Sequence, residues 1–512
     1  MTPIILSTLN ARFIHSALGL RYLYANLGNL QAQASIIEFT IDSRPIDVAE
    51  KLLKLQPRII GFGVYIWNIE QTTYTVALLK KLSPETIIVL GGPEVSFEHE
   101  QQAIVALADY VINGAADLEF YRLCAEILGS DDNKARIPRD KITQPREFQL
   151  SEITLPYAYY SKLDIANRVI YVEASRGCPF KCEFCLSALD KTAWPFDLEL
   201  FLGEMQKLYA RGVRQFKFVD RTFNLKTSTT TRILEFFLQR LDKDLFLHFE
   251  FIPDHLPEAL KDIIRRFPEH SLQFEIGIQT FNPAVQQIIS RKQDNDKAMD
   301  NIRWLRNETH AHLHTDLIAG LPGEDINSFA QGFNQLVALK PHEIQVGILK
   351  RLRGAPIIRH TGAFHMVYNP NPPYNILSTK DIDFSTMQSL SRFARYWDMI
   401  ANSGRFNETL SLILGDDAFH RFTKLSDWLY ATTEQTHRIA LVRLFNLVYD
   451  ALNTEFALDG ELIGNAMAND YARSGLSDKP AFLSKPHQPP EASKNPPRKG
   501  AQRQSRHGKN PV

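Results

Sequence analysis

RGCPFKCEFCLSALD, residues 176–190, holds three of the four cysteines in a chain of 512 residues. The spacing is Cys178-x3-Cys182-x2-Cys185, with Phe184 directly before the last cysteine. A disulfide uses two thiols and a closed zinc site uses four ligands, so three is an unusual number. Soft thiolates select zinc, copper(I) or an iron–sulfur cluster. No fourth Cys or His stands at finger spacing, and three thiolates around a catalytic zinc would blunt its Lewis acidity. A cubane cluster held by three thiolates leaves one iron without a protein ligand, open to an exogenous chelator. Gly177 and Pro179 give the sharp turn that suits a backbone wrapped around such a cluster.

The loop follows an apolar strand, RVIYVEAS. Further strands read as QFKFVD, LFLHFEF, LQFEIGIQ, HLHTDLIAG and HEIQVGIL. Between them lie helical patterns such as DLELFLGEMQKLYARG, TTTRILEFFLQRL, PEALKDIIRRF and DKAMDNIRWLRNE. Six strands with helical crossovers predict a (β/α)6 partial barrel over residues 166–365. In such folds chemistry sits at the carboxyl ends of the strands, where the cysteines fall.

Residues 1–130 alternate in the same way. TPIILSTL, ASIIEFT, PRIIGFGVYI, TIIVLGG and DYVINGA are apolar throughout and are separated by amphipathic helices. That pattern predicts a doubly wound, Rossmann-like α/β domain with a parallel sheet covered on both faces. Residues 131–165 are polar and proline-punctuated and read as a linker, with LPYAYYSKLD packing over a surface. After a loop at VYNPNPPYN, residues 366–477 read as a helical domain rich in aromatics: FSTMQSLSRFARYWDMIANSG, AFHRFTKLSDWLYATT and HRIALVRLFNLVYDALN. The tail, 478–512, has eight Lys/Arg, seven prolines and little apolar content; it is expected to be disordered. A solvated extension is its plain reading, and contact with RNA or acidic partners the other.

Hydrophobic residues make up 44% of the chain, and 58 basic residues balance 58 acidic ones. A net charge of zero predicts no bulk attraction to nucleic acid or to a membrane. The amino-terminal MTPIILSTLNARF has too short an apolar run for a signal peptide, and no apolar stretch reaches the roughly 18 residues of a membrane span. Cys124, in YRLCAEIL, reads as a small core hydrophobe. Clustered cysteines do not form a secreted disulfide framework, so the cytoplasm is the expected location.

C-x3-C-x-aromatic-C after the first strand of a β/α barrel, in the setting ASRGCPFKCEFC, resembles the radical S-adenosylmethionine (SAM) superfamily. The resemblance covers roughly residues 166 to 360. It implies a [4Fe–4S] cluster on Cys178, Cys182 and Cys185, with SAM's amino and carboxylate groups on the free iron. It also implies reductive cleavage of SAM to a 5′-deoxyadenosyl radical, with an electron donor of the flavodoxin or ferredoxin type. By the same likeness Phe184 packs near the adenine, while Lys181 and Glu183 are variable spacers. FKFVDRTFN stands where the family usually has Gly-Gly-Glu, a departure that leaves Asp220 as the available carboxylate; a helix N-cap is its other reading. FEIGIQTFNP implies that Glu275 and Gln279 meet SAM's ribose or carboxylate. Arg291 either pairs with the SAM carboxylate or is a surface arginine. LIAGLPGE implies adenine contacts through Ile318 and Gly320, or simply a strand-to-helix turn. VGILKRLRGAPI implies that Val346 to Leu349, including Ile348, flank the adenine, with Lys350, Arg351 and Arg353 at the barrel mouth.

The amino-terminal domain, through LNARFIHSALGLRYL, GFGVYIWN and VLGGPEVSF, resembles the cobalamin-binding domain of radical SAM enzymes. Gly61, Gly63, Gly91, Gly92 and Gly114 stand at strand ends, where glycine lets the backbone approach a large planar ligand. The Asp-x-His-x-x-Gly signature of cobalamin mutases is absent, and NGAADLEF replaces the usual Gly-Glu-Gly-Glu. His15, with Gly19 four residues on, is the candidate cobalt ligand; a helix-start or core histidine and base-off binding without a protein ligand are the alternatives. The whole order of parts resembles a bacterial family of cobalamin-binding radical SAM proteins with a helical carboxyl-terminal domain. That resemblance implies methyl transfer to an unactivated carbon. Oxidation or cyclisation with non-methylating or absent cobalamin is the alternative, and a non-enzymatic iron–sulfur or zinc protein is the alternative of another class. A tRNA methylthiotransferase would need three amino-terminal cysteines where only Cys124 stands. The substrate carries no motif in this sequence.

Overall fold

A computed structural model describes residues 2–129, 140–190, 192–474, 480–484 and 506. Ile4–Asn10 (β1) is buried at every position, as a parallel strand covered on both faces must be. It lies in a parallel sheet with β2 (Ala34–Thr40), β3 (Ile59–Gly63), β4 (Ile87–Gly91), β5 (Tyr110–Ile112) and β6 (Ile142–Thr143), in the order β2-β1-β3-β4-β5-β6. Helices α1 (Leu18–Ala25), α2 (Pro45–Leu53), α3 (Ile69–Leu82), α4 (Ala103–Leu107) and α5 (Glu119–Gly129) make the crossovers. One core packs Val48, Leu52, Val76 and Leu79 on one face, and a second packs Leu20, Phe120 and Cys124 on the other. Cys124 is the expected core residue; burial pushes its thiol far up. The strand order reverses between β1 and β3, and ligands bind outside the carboxyl ends of strands at such a switch point.

The segment expected as a linker is more built than its composition suggested. Residues 131–139 lie outside the described residues, but β6 extends the first sheet by pairing with Val111 and Ile112. Tyr157 and Tyr160 are fully buried, and their hydroxyls donate to the carbonyls of Glu173 and Tyr171 at 3.0 and 2.7 Å. Helix α6 (Lys162–Asn167) opens on a Ser161–Asp164 capping box. Asp164 also accepts from Arg21 on α1 at 2.9 Å, and Arg21 and Arg168 both donate to Glu38, at 2.9 and 2.8 Å. All four side chains are nearly dry, so this ionic knot ties the first sheet to α6.

Every barrel strand expected from the sequence is present: β7 (Ile170–Val172), β10 (Gln215–Phe218), β11 (Phe246–Phe251), β12 (Leu272–Gln279), β13 (His312–Ala319) and β14 (Glu343–Ile348), all parallel and in chain order. β8 (Ser175–Arg176) and β9 (Trp194–Pro195) form a separate antiparallel ribbon. The crossovers are α7 (Leu198–Ala210), α8 (Thr227–Leu238), α9 (Glu258–Ile264), α10 (Pro283–Ile288), α11 (Asn295–Glu308) and α12 (Ile326–Ala338). β11, FLHFEF, alternates cleanly: Leu247, Phe249 and Phe251 are buried under the helices, while His248 and Glu250 point the other way, into the barrel. A closed β/α barrel fills its interior with branched apolar side chains; this open one lines it with Tyr171, Lys217, His248, Glu275 and His314 instead. The amino-terminal domain meets the chain beside both edge strands. Val169 N–H donates to Ile14 O at 3.0 Å next to β7, and Arg351 and Arg353 after β14 bind Glu98 and Glu94 at 2.8 and 3.0 Å.

The loop expected at VYNPNPPYN is flanked by a short antiparallel pair, β15 (Val367–Tyr368) and β16 (Ile376–Ser378). Helices α13 (Phe384–Ile400), α14 (Asn407–Leu414), α15 (Ala418–Thr433), α16 (Leu441–Thr454) and α17 (Gly460–Arg473) complete the described chain's regular structure. They share one apolar core with the barrel. Phe333 of α12 packs edge-on to Phe393, Trp397 and Phe419, at 5.1, 4.8 and 5.9 Å. The Asn402 side chain bonds both the N–H and the carbonyl of Ile344, each at 2.9 Å. Apart from 480–484 and 506, the basic tail lies outside the described residues. Among the described residues no helix is long and apolar enough to cross a membrane.

Candidate functional site

After Val172 the chain leaves the sheet, and the β8–β9 ribbon closes the segment from Gly177 to Asp190, with Thr192 and Ala193, into a loop at the carboxyl end of the barrel. Gly177 has φ +87°, and a Cβ there would run into the Thr192 carbonyl oxygen, so the loop closes only with glycine. Cys178 and Cys182 are buried, Cys185 is half-buried, and all three are free. Cys178 N–H donates to Asp190 O at 3.3 Å, and Cys185 N–H to Cys182 O at 3.1 Å. Burial pushes the Cys178 and Cys182 thiols up. At Cys182 the Arg291 guanidinium opposes that push, with Nη1 3.8 Å from Sγ. Three sheltered sulfurs on one short loop, with a cationic N–H on one of them, fit an iron–sulfur cluster.

Arg291 also donates through Nη2 to the carbonyl of Gly277, where β12 shifts register against β13. Gln279 ends β12 at φ +68°, a strained value for a residue with a side chain. Cys182, Gln279 and Arg291 thus converge on one place. Phe184 packs half-buried against the core, and Ile318 and Ile348 are half-buried on the adjacent strands β13 and β14. A residue that sequence reasoning missed joins them. Asp316 lies in the barrel interior with a buried Oδ1 that accepts no hydrogen bond among the described residues; His314 Nδ1 lies 3.9 Å away. Burial, with the negative charges of Glu275 and Glu250, pushes its pKa well up. An orphaned buried acceptor fits a ligand hydroxyl such as those of SAM's ribose. The signal was HLHTDLIAG itself, a carboxylate on the same inward side of the strand as His314.

Three expectations need correction. Asp220 neither caps a helix, since α8 starts at Thr227, nor points at open space. Its oxygens accept from Ala174 N–H at 3.0 Å and Ser175 Oγ–H at 2.6 Å, bracing the turn into the cysteine loop. Burial, against those hydrogen bonds, pushes its carboxyl up to about 7. Gly320 has φ +87°, and a Cβ there would meet Ile376 at 2.5 Å and Met387 at 3.0 Å; glycine is required by packing against β16 and α13. Glu275 sits deeper than the strand ends. Burial acts to raise its pKa, but the His248 hydrogen bond at 3.0 Å and Lys217 at 3.4 Å outweigh it and hold the carboxyl well below the usual range. It lines a chamber of about 660 Å³ inside the barrel, with Lys217, His248 and His314, floored by Arg395 and Asp398 of α13.

A second cleft, of about 360 Å³, lies at the switch point of the first sheet. Gly61, Gly63, Gly91, Gly92 and Gly114 all line it. A Cβ at Gly114 would have nothing within 4 Å, and one at Gly91 only Ile112 O at 3.9 Å. These strand ends form the cradle a flat ligand needs. Gly61 and Gly92 differ: a Cβ at Gly61 would touch the Phe120 ring at 2.9 Å and one at Gly92, at φ +107°, the Val64 carbonyl oxygen at 2.5 Å, so packing demands both. His15 is not in this cleft. Its Nδ1 is 2.6 Å from Tyr171 Oη, and it lines the barrel chamber instead. Among the described residues lining the cleft there is no histidine or cysteine. The cleft is closed on the barrel side by Glu173 and Arg176. Arg176, two residues before Cys178, makes a bidentate pair with Asp117 at 3.0 Å, bonds Glu173 at 2.8 Å, and lies 4.4 Å over the Tyr22 ring. One side chain therefore walls the glycine cleft and starts the cysteine loop.

Over residues 172–335 the chain matches the radical SAM superfamily, and over 6–123 the B12 binding domain. One polypeptide thus joins a B12 binding domain match to a radical SAM match. Its particular make-up is that pair followed, over 362–506, by a match to a protein of unknown function, DUF4080. It is 25% identical over 328 residues to an uncharacterized methyltransferase of Pyrococcus horikoshii, covering 60% of this chain and 70% of that one. It is 23% identical to the cobalamin-dependent radical SAM methyltransferase TokK of Streptomyces tokunonensis, covering 59% of this chain and 48%, about half, of the relative. The fold is similar to that of the cobalamin-dependent S-adenosylmethionine radical enzyme OxsB, with TM-score 0.57 and 14% identity over 91% of this chain and 78% of that one. It is also similar to the radical SAM methyltransferase TsrM of Kitasatospora setae, with TM-score 0.54 and 15% identity over 73% of this chain and 78% of that one.

Proposed function

We propose that this protein is a cobalamin-dependent radical SAM enzyme that methylates an unactivated carbon of a small polar substrate. The observation that carries the reading is the adjacency of the two sites across Arg176: three free thiols on one side, a cradle of strand-end glycines on the other. When bound, the cluster supplies the electron that cleaves SAM, and cobalamin carries the methyl group. Cys178, Cys182 and Cys185 hold the cluster. Arg291 and Gln279 meet SAM's carboxylate and ribose, Asp316 accepts from a ribose hydroxyl, and Phe184, Ile318 and Ile348 flank the adenine. Gly63, Gly91, Gly92 and Gly114 would hold the corrin. The chamber receives the substrate: its interior is lined with hydrogen-bonding side chains, and three parts of the chain border it, which favours a small polar molecule over a macromolecule. A reductant of the flavodoxin or ferredoxin type, in the cytoplasm, supplies the electron.

The test is anaerobic reconstitution with iron, sulfide and cobalamin, and then addition of dithionite and SAM. The reading expects 5′-deoxyadenosine and S-adenosylhomocysteine together. Absence of 5′-deoxyadenosine, with Cys182→Ala behaving like the unsubstituted chain, overturns the radical reading. 5′-Deoxyadenosine without S-adenosylhomocysteine, in the presence of cell extract as substrate source, overturns methyl transfer.

A further inference from the structure

Glu183 stands between the second and third cysteines, and the sequence treats it as a spacer. Lys181, two residues earlier, is exposed as a spacer should be, but Glu183 is 1% exposed. A sheltered carboxylate is costly unless its oxygens are fully used. Here they are. Oε1 accepts from Ser290 Oγ–H at 2.6 Å and from Arg359 Nη2, and Oε2 lies 2.6 Å from His360 Nε2. Its backbone is held as well: Glu183 N–H donates to Ile289 O at 3.1 Å, and Ile357 N–H donates to Glu183 O at 2.9 Å.

The partners come from two remote segments. Residues 289–290 leave α10 after the fourth barrel strand, and 356–360 form a single turn after the sixth. Ser290 is held at φ +54°, a conformation that persists only where the surroundings over-determine it. The same 289–291 turn presents Arg291 to Cys182 Sγ. One residue therefore ties the middle of the cysteine loop to both far strand exits, and its neighbours in sequence are Cys182 on one side and Phe184–Cys185 on the other.

We infer that Glu183 is a positioning residue for the metal centre: by joining Ser290, Arg359 and His360 it fixes Cys182 and Cys185 at the separation a cluster demands. It touches no sulfur and acts through the loop. The ribbon β8–β9 closes the loop at its two ends, so without the Glu183 carboxylate the span carrying the last two thiols keeps its ends and the two backbone hydrogen bonds at residue 183 but loses its side-chain tie to Ser290, Arg359 and His360. Ordering of that span would then have to come out of metal binding, and the metal would be held more loosely.

The inference rests on the proposal that the three cysteines hold a cluster, and the experiment separates the two. Full-length chain and the variants Glu183→Ala, Glu183→Gln and His360→Ala are reconstituted anaerobically. Iron per chain, the rate of iron loss to a ferrous chelator, and the electron paramagnetic resonance signal of the reduced cluster are then read. Thermal melting and cobalamin uptake by the other cleft report folding. The expectation is iron loss at least about tenfold faster in Glu183→Ala, with cobalamin uptake by the other cleft unchanged. Glu183→Gln, which keeps the volume and the Ser290 hydrogen bond, should recover part of the retention, and His360→Ala should fall between Gln and Ala. Should Glu183→Ala fail to fold, the other two variants decide. Iron loss at the unsubstituted rate in every folded variant overturns the inference and leaves the cluster proposal standing. An unsubstituted chain that takes up no iron overturns both.

Discussion

The molecule contains two parallel sheets whose functional ends are furnished in opposite ways. The first sheet clears space: at the ends of β3, β4 and β5 the side chains are simply missing, and Gly91 and Gly114 open on unfilled volume. The barrel fills space: cysteines, Arg291 and Gln279 crowd its carboxyl end, and Asp316, Glu275 and other charged groups continue down its interior. A large preformed ligand needs room and a backbone surface, whereas a metal with a small charged ligand needs donors at fixed places. The same architecture serves both because the residues at strand ends are free of the core's demand for apolar packing.

That contrast can be broken most severely at the cysteines. Cys182→Ala should abolish iron retention and 5′-deoxyadenosine formation while leaving cobalamin uptake intact, as measured by iron assay and by absorbance after gel filtration. Arg176 is where the two designs meet. Arg176→Met leaves Asp117 and Glu173 without their cation, and should cost about 3–5 kcal/mol in denaturant melts and weaken both cofactor sites together. Asp220 sharpens the filled side. Because its folded pKa, about 7, exceeds the ordinary 3.8, the folded chain holds that proton more tightly. Its contribution is full below about pH 4 and is lost as pH rises through 7, up to about 4 kcal/mol in all. Asp220→Asn should therefore flatten the fall in stability between those pH values, read from denaturant midpoints. The smallest effect on the fold belongs to the emptied side. Gly91→Leu should change stability by about 1 kcal/mol or less, yet crowd the cleft and cost cobalamin about 1–3 kcal/mol of binding in a titration.

The layout of both sheets could be read from the chain because each strand is a continuous or alternating apolar run, and burial on two faces leaves no other way to write it. β6 escaped because two residues in a polar segment carry no period. At the site, the cysteines and strand-end glycines were legible since chemistry and backbone freedom dictate them locally. Asp220, Gly320 and Glu183 were not. Each is determined by something far along the chain: Asp220 by Ala174 and Ser175, Gly320 by Ile376 and Met387, Glu183 by Ser290 and His360. His15 resembled a metal ligand in its local setting, and only the docking of the first domain on β7 shows it bonded to Tyr171.

The unbroken core between the barrel and α13–α17 has a consequence for how this protein can vary. A chain stopped at residue 365 would turn the ring of Phe333 and the side of Gly320 toward water, and the helices alone would expose Phe393, Trp397 and Phe419. The helical segment is therefore no cartridge to be exchanged between enzymes. Any new specificity at the chamber floor has to be written residue by residue, at positions such as Arg395 and Asp398, under the constraint that the other side of the same helix keeps the barrel upright.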